Sequence, residues 1–309
     1  MAVLLLVGVT LVWGTTFLVI QDSTRRMPTL DFVAARFAVG ALVLIAMRPR
    51  VVVSLDRSGW ARGAALGLAL GVSYYLQTLG LQYMRATVSA FVTCMFVVFT
   101  PLLAALVLRQ RISSTAWVGT VLAVVGLGLL TLQGFGVGFG ELLTLGCALF
   151  IALQILGTGA WSAGRDPFGL AFAQMVTVAV VASAVSLPDG LELVPPDPAA
   201  WFGVMWTAVL ATAAALVIQT WAQTRISTAR VAVIMTLEPV FAAAFGVFYG
   251  QFLNAQQVVG GVLILAAMLV VELHSAKQER GGQPRDATRF GGAMRRLGRR
   301  LVPSTQRVR

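Results

Sequence analysis

The sequence predicts an all-α integral membrane protein of ten transmembrane helices arranged as two inverted five-helix repeats. Three observations predict it: uncharged runs of membrane-spanning length, a lopsided distribution of basic residues, and motifs that recur between the two halves of the chain. Of 309 residues, 58% are hydrophobic and 11% charged, and the mean hydropathy is +0.85. Those values lie outside the composition of soluble globular domains. Uncharged stretches occupy residues 1–21, 63–84, 86–108, 112–140, 142–164, 167–188, 198–224 and 239–271. Most are long enough to span, because about 20 apolar residues cross a hydrocarbon core roughly 30 Å thick.

Splitting these runs at Gly, Pro and polar clusters gives the elements in order. The first helix, near 3–21, reads as a retained span: it has neither a basic leader nor an Ala-x-Ala cleavage site. The second, 29–47, follows Pro28 and carries Arg36 about two turns in. The third, 61–83, holds Gly63, Gly67 and Gly71, a small-residue row that lets helices approach closely. The fourth, 87–108, contains Pro101, and the fifth, 116–133, is Gly-rich. The sixth, 140–160, is followed by a seventh at 167–187 that starts on Pro167. The eighth, 201–222, precedes a ninth at 229–249 containing Glu238 and Pro239. The tenth, 256–273, leads into a basic tail, 274–309.

The net charge of +11 does not point to nucleic acid, because the basic residues sit between hydrophobic runs and in the tail. With both termini on the cytoplasmic side, 19 of the 23 Lys and Arg face the cytoplasm, as the positive-inside rule requires. Arg25, Arg26 and Arg85 fall on the opposite side, and Arg36 lies within a helix. The expected location is the cell inner (plasma) membrane, crossed many times.

Gln110-x-Ile112-Ser113 followed by Val118-Gly119 matches Gln251-x-Leu253-Asn254 followed by Val259-Gly260. Upstream, Thr100-Pro101-Leu102 matches Glu238-Pro239-Val240. The repeats are expected at 1–133 and 138–273. Each has an odd number of helices, so the second enters the membrane from the opposite side. Inverted repeats of this kind belong to secondary transporters, whose solute site lies near the midplane between the halves.

These stretches also resemble a known family, the EamA type of the drug/metabolite transporter superfamily. The resemblance is carried by Trp13-Gly14-Thr15-Thr16-Phe17, Ala35-Arg36-Phe37, Gly80-Leu81-Gln82-Tyr83, Thr100-Pro101 and Leu237-Glu238-Pro239-Val240, together with the Gly-rich fifth and tenth helices. It implies alternating access and the movement of amino acids or related metabolites. The expected function is therefore secondary active transport, as export, of small organic metabolites such as amino acids or drugs.

Candidate solute-binding or gating residues follow from polarity inside apolar helices. Arg36 is costly in the membrane unless it faces water, a partner or the bundle interior; it is read either as an anion-binding or gating group or as an Arg that snorkels outward. Glu238 is read either as a proton carrier or as a neutral tie between helices, and Pro101 and Pro239 as helix kinks. Tyr74, Gln77 and Thr78, then Gln154 and Thr158, then Gln219 and Gln223, recur at helical spacing and so line single faces. They either contact solute or hold the bundle together. Trp13 and Phe17 share a face that could stack on a flat solute.

The rival class is a membrane-embedded enzyme acting on a lipid-linked substrate. Such an enzyme needs convergent catalytic groups, and the predicted helices contain no His, HExxH or GxSxG motif. No catalytic residue, cofactor, metal site or disulfide is expected: Cys94 and Cys147 read as small buried hydrophobes, and the only His is His274. Expected partners are a small-molecule solute and membrane lipid; the tail reads either as an amphipathic helix over Phe290–Leu301 drawn to anionic lipid or as a disordered, solvated segment, and homodimerisation is left open.

Overall fold

A computed structural model describes residues 1–108, 114–131, 138–161, 165–223, 234–235 and 237–280. The Gln110 motif, the first residues of the ninth predicted helix and the basic tail helix lie outside the described residues, as do the side chains of Pro101, Gln223 and His274.

Among the described residues the protein is helical throughout, with no strand. Helices α1 (Ala2–Ser23), α2 (Thr29–Met47), α3 (Arg57–Gly80), α4 (Ala86–Thr93), α5 (Phe96–Leu108) and α6 (Ser114–Thr131) form the first half. Helices α7 (Phe139–Trp161), α8 (Pro167–Ser186), α9 (Pro198–Met205), α10 (Ala215–Gln223), α11 (Leu237–Phe248) and α12 (Ala255–Arg280) follow. Six stretches are long and apolar enough to cross a membrane: Ala2–Ser23, Thr29–Met47, Ala86–Ala104, Phe139–Thr158, Pro167–Asp189 and Pro198–Gln219. Trp117–Leu130, Leu237–Phe248 and Ala255–Val271 are shorter apolar helices. Side chains such as Leu42, Val121, Val180, Val247 and Val262 are exposed on the outer surface. Hydrocarbon suits that surface; water does not.

Three elements differ locally from the sequence expectation. Helix α3 starts at Arg57 because Asp56 caps it, accepting the Gly59 N–H at 2.8 Å, a favourable end for otherwise unpaired donors. The fourth predicted helix breaks at Cys94 and Met95, where the Met95 and Val97 amides reach back only three residues, to Val92 and Cys94. The eighth contains a π-helical segment, Trp206–Ala214, between α9 and α10. Such segments commonly mark functional positions.

Close backbone approach sets the packing. Helix α3 lies along α8 through its glycine row: a Cβ on Gly63 would stand 2.5 Å from that of Ala173, and one on Gly67 would stand 2.8 Å from the Gln174 carbonyl. Helices α6 and α12 meet at Gly126 and Gly260, where a Cβ on either would fall within 2.7 Å of the other's carbonyl oxygen. Only glycine fits both crossings without moving backbone.

One end of the bundle is stitched by polar groups. The Gln21 amide donates to the Leu81 and Met84 carbonyls at 3.0 and 2.9 Å and accepts from Gln251 at 2.8 Å. Arg85 donates to the Phe252 carbonyl at 2.8 Å. Arg26 pairs with Asp22 at 2.9 Å and with Asp197 at 3.2 Å. Asp197 also caps α9 through the Ala200 N–H. That amide, and then Arg26, hold the Asp197 carboxyl below its ordinary value. The cap is therefore intact above the usual carboxylate range and is lost only as pH falls through the lowered value. At the opposite end Arg48 pairs with Asp166 at 2.9 Å.

Candidate solute cavity

A cavity of about 560 Å³ lies inside the bundle, within the size range of small-molecule sites. Its wall brings together Trp13, Phe17, Arg36, Tyr74, Gln77, Gln154, Thr158, Gln219 and Glu238. These residues come from α1, α2, α3, α7, α10 and α11, so both halves of the chain contribute. Thr78 is buried on α3 but is not in the wall.

Arg36 is 2% exposed. It therefore does not snorkel to the surface; its side chain stays inside the bundle. Its Nε donates to the Thr212 hydroxyl at 2.9 Å. The guanidinium carbon sits 4.5 Å from the centroid of the Tyr74 ring, which in turn meets Phe37 edge-on at 4.9 Å. The Nη1 atom has no hydrogen-bond partner, and among the described residues no carboxylate lies within ion-pair distance of Arg36.

Thr212 owes its position to the π-helical segment. Its hydroxyl donates to the carbonyl of Thr207, five residues back, at 2.8 Å, which leaves its lone pairs for Arg36. The same segment offers the Ala211 carbonyl to the Trp13 indole N–H at 2.7 Å. The indole of Trp206 donates to Thr15 at 3.0 Å. The π-helical segment thus ties α1 and α2 to the second half.

The glutamines make polar links between helices. Gln77 donates to Thr93 at 3.2 Å, just before the break that ends α4. Gln154 donates to Thr158 at 3.1 Å and to the Gln174 side-chain oxygen Oε1 at 2.8 Å. Gln219 contacts the Met235 sulfur at 3.8 Å. Glu238 is 8% exposed and faces the cavity from the first turn of α11. Pro239 follows it in the same helix.

Sequence reasoning missed Thr212 and Gln174. Gln174 was accessible to it, as the only amide side chain in the run 167–186. Thr212 left no signal, because a Thr in an otherwise ordinary apolar helical stretch does not announce a change of helical register. Asp31 was missed as well: it is 1% exposed and accepts from the Ser186 hydroxyl and the Glu192 amide, tying α2 to the end of α8.

The family model for EamA-like transporters matches residues 1–132 and again 138–273. An uncharacterized transporter of Archaeoglobus fulgidus is 31% identical over 271 residues, covering 86% of this chain and 83% of that protein. A solved crystal structure of another protein superposes with a TM-score of 0.66 at 18% identity, covering 90% of this chain and 98% of that one. That last similarity concerns fold alone.

Proposed function

Because the chain belongs to the EamA-like transporter family, we propose that it is a secondary active exporter of small organic metabolites such as amino acids or drugs, working by alternating access. The observation that carries this reading is the cavity of about 560 Å³ whose polar lining is drawn from both halves of the chain. Solute bound between two halves is released to either side when the halves rock against each other around a fixed site. Each matched half supplies one inverted five-helix unit, over 1–133 and 138–273. The termini lie in the cytoplasm and the protein resides in the inner membrane, as the distribution of basic residues favours. A reporter fused at Arg309 should read cytoplasmic and one within 189–198 periplasmic; the reverse pattern refutes the orientation.

Purified protein in proteoliposomes, given labelled amino acids and cationic drugs with and without a proton gradient, tests the function. Saturable movement of at least one compound is expected. Movement of none, or chemical conversion of any, contradicts the reading.

A further inference from the structure

We propose that the cavity binds an organic monocarboxylate and that Arg36 is its anchor, with Thr212 as the residue that positions Arg36. The inference rests on the transport reading and narrows its substrate class.

The argument starts from a charge with nothing to balance it. Arg36 keeps its proton under all ordinary conditions and offers five N–H donors in a planar fork. Here one donor is used on Thr212 and one face is covered by Tyr74. Nη1 is left without a partner, and no described carboxylate compensates the charge. A buried cation with a vacant hydrogen-bonding edge is expensive in a membrane interior. It is retained economically only if something that visits the cavity completes it.

The vacant fork specifies the visitor. Guanidinium groups recognise carboxylates and phosphates through paired N–H donors. A phosphate brings a larger charge, yet among the described residues Arg36 is the only basic one in the cavity wall. Much of the remaining lining is apolar, including Trp13, Phe17, Leu70, Phe96 and Ile151. That surface suits a carbon skeleton rather than an inorganic anion.

Thr212 fixes the orientation. Its proton is committed to the Thr207 carbonyl, so it can only accept from Arg36, and this holds the guanidinium by Nε with Nη1 unpartnered. Binding then has a mechanical consequence. The empty cavity cannot be occluded without isolating an uncompensated charge, whereas the loaded cavity closes around a neutral pair.

The test uses the full chain, purified in detergent, with three acid and amide pairs: butyrate with butyramide, benzoate with benzamide, and N-acetylleucine with N-acetylleucinamide. Binding is read as a shift in melting temperature across a concentration series. The same compounds are applied as competitors of flux in proteoliposomes. At least one acid should bind, about tenfold or more tightly than its amide. Arg36→Lys should weaken the acid by a similar factor and leave the amide unchanged. Thr212→Val should weaken the acid, and Thr212→Ser, which keeps the acceptor, should restore it. An amide that binds as well as its acid, binding of none of the acids, or a transported solute lacking a carboxylate would each overturn the anchor. In the last case flux persists and the transport reading survives.

Discussion

Arg36→Gln is expected to abolish solute transport while the protein accumulates and melts at the wild-type temperature or above it. The reason is the imbalance around this residue. A buried interaction that stabilises the fold is lost on substitution, but among the described residues Thr212 and Tyr74, with no carboxylate, offset the burial of Arg36, and Nη1 has no partner. A charge at the centre of a membrane helix costs roughly 3 kcal/mol on insertion scales. Glutamine removes that cost and can still donate to Thr212. Flux, expression level and thermal stability measured together decide it. A melting temperature that falls in step with lost transport would make Arg36 a packing residue.

Glu238→Gln is expected to flatten the pH dependence of transport while leaving the fold intact. Glu238 faces the same cavity as Arg36, so the proposed alternating access exposes it to water in one state and shuts it away in another. An exporter that exchanges solute for an entering proton is driven by acid outside. For one proton the response is at most about tenfold per pH unit. In the sequence match between the halves Thr100 stands where Glu238 stands, and a hydroxyl does not carry a proton near neutral pH. The coupling should therefore vanish with the single substitution. An unchanged profile of flux against external pH in the Gln variant would reduce Glu238 to a contact between helices.

What the sequence disclosed and what it hid follow one physical line. Spans and close packing are written locally. Long uncharged runs mark α1, α7 and α8 to within a few residues, and Gly63 and Gly67 mark the face on which α3 meets α8. The start of α3 was also legible in retrospect, since Asp56 stands three residues before Gly59. The interruption at Cys94 and Met95 was not. It falls in an unbroken apolar run, and the only breaker residue nearby, Pro101, sits downstream within α5.

The candidate site divides the same way. Arg36, Tyr74, Gln77, Gln154, Gln219 and Glu238 stood out because polar groups are rare in such helices, and all six line the cavity. Thr212 did not stand out, because its value comes from the π winding of Trp206–Ala214. Ordinary helix formers made that stretch look regular. The winding answers a tertiary demand, set by the Trp13 indole and the Arg36 guanidinium, and nothing within the segment records it.

Counterflow tests the central claim, that this protein is a carrier with a solute site between its halves. Proteoliposomes holding the purified protein are loaded with a high concentration of an unlabelled transported solute and diluted into a trace of the same solute labelled. A carrier returns its site loaded, so the label should rise transiently above equilibrium inside the vesicles and then decay, and Arg36→Gln should abolish the overshoot. Label that merely equilibrates, at the same rate with or without preloading, would contradict the account.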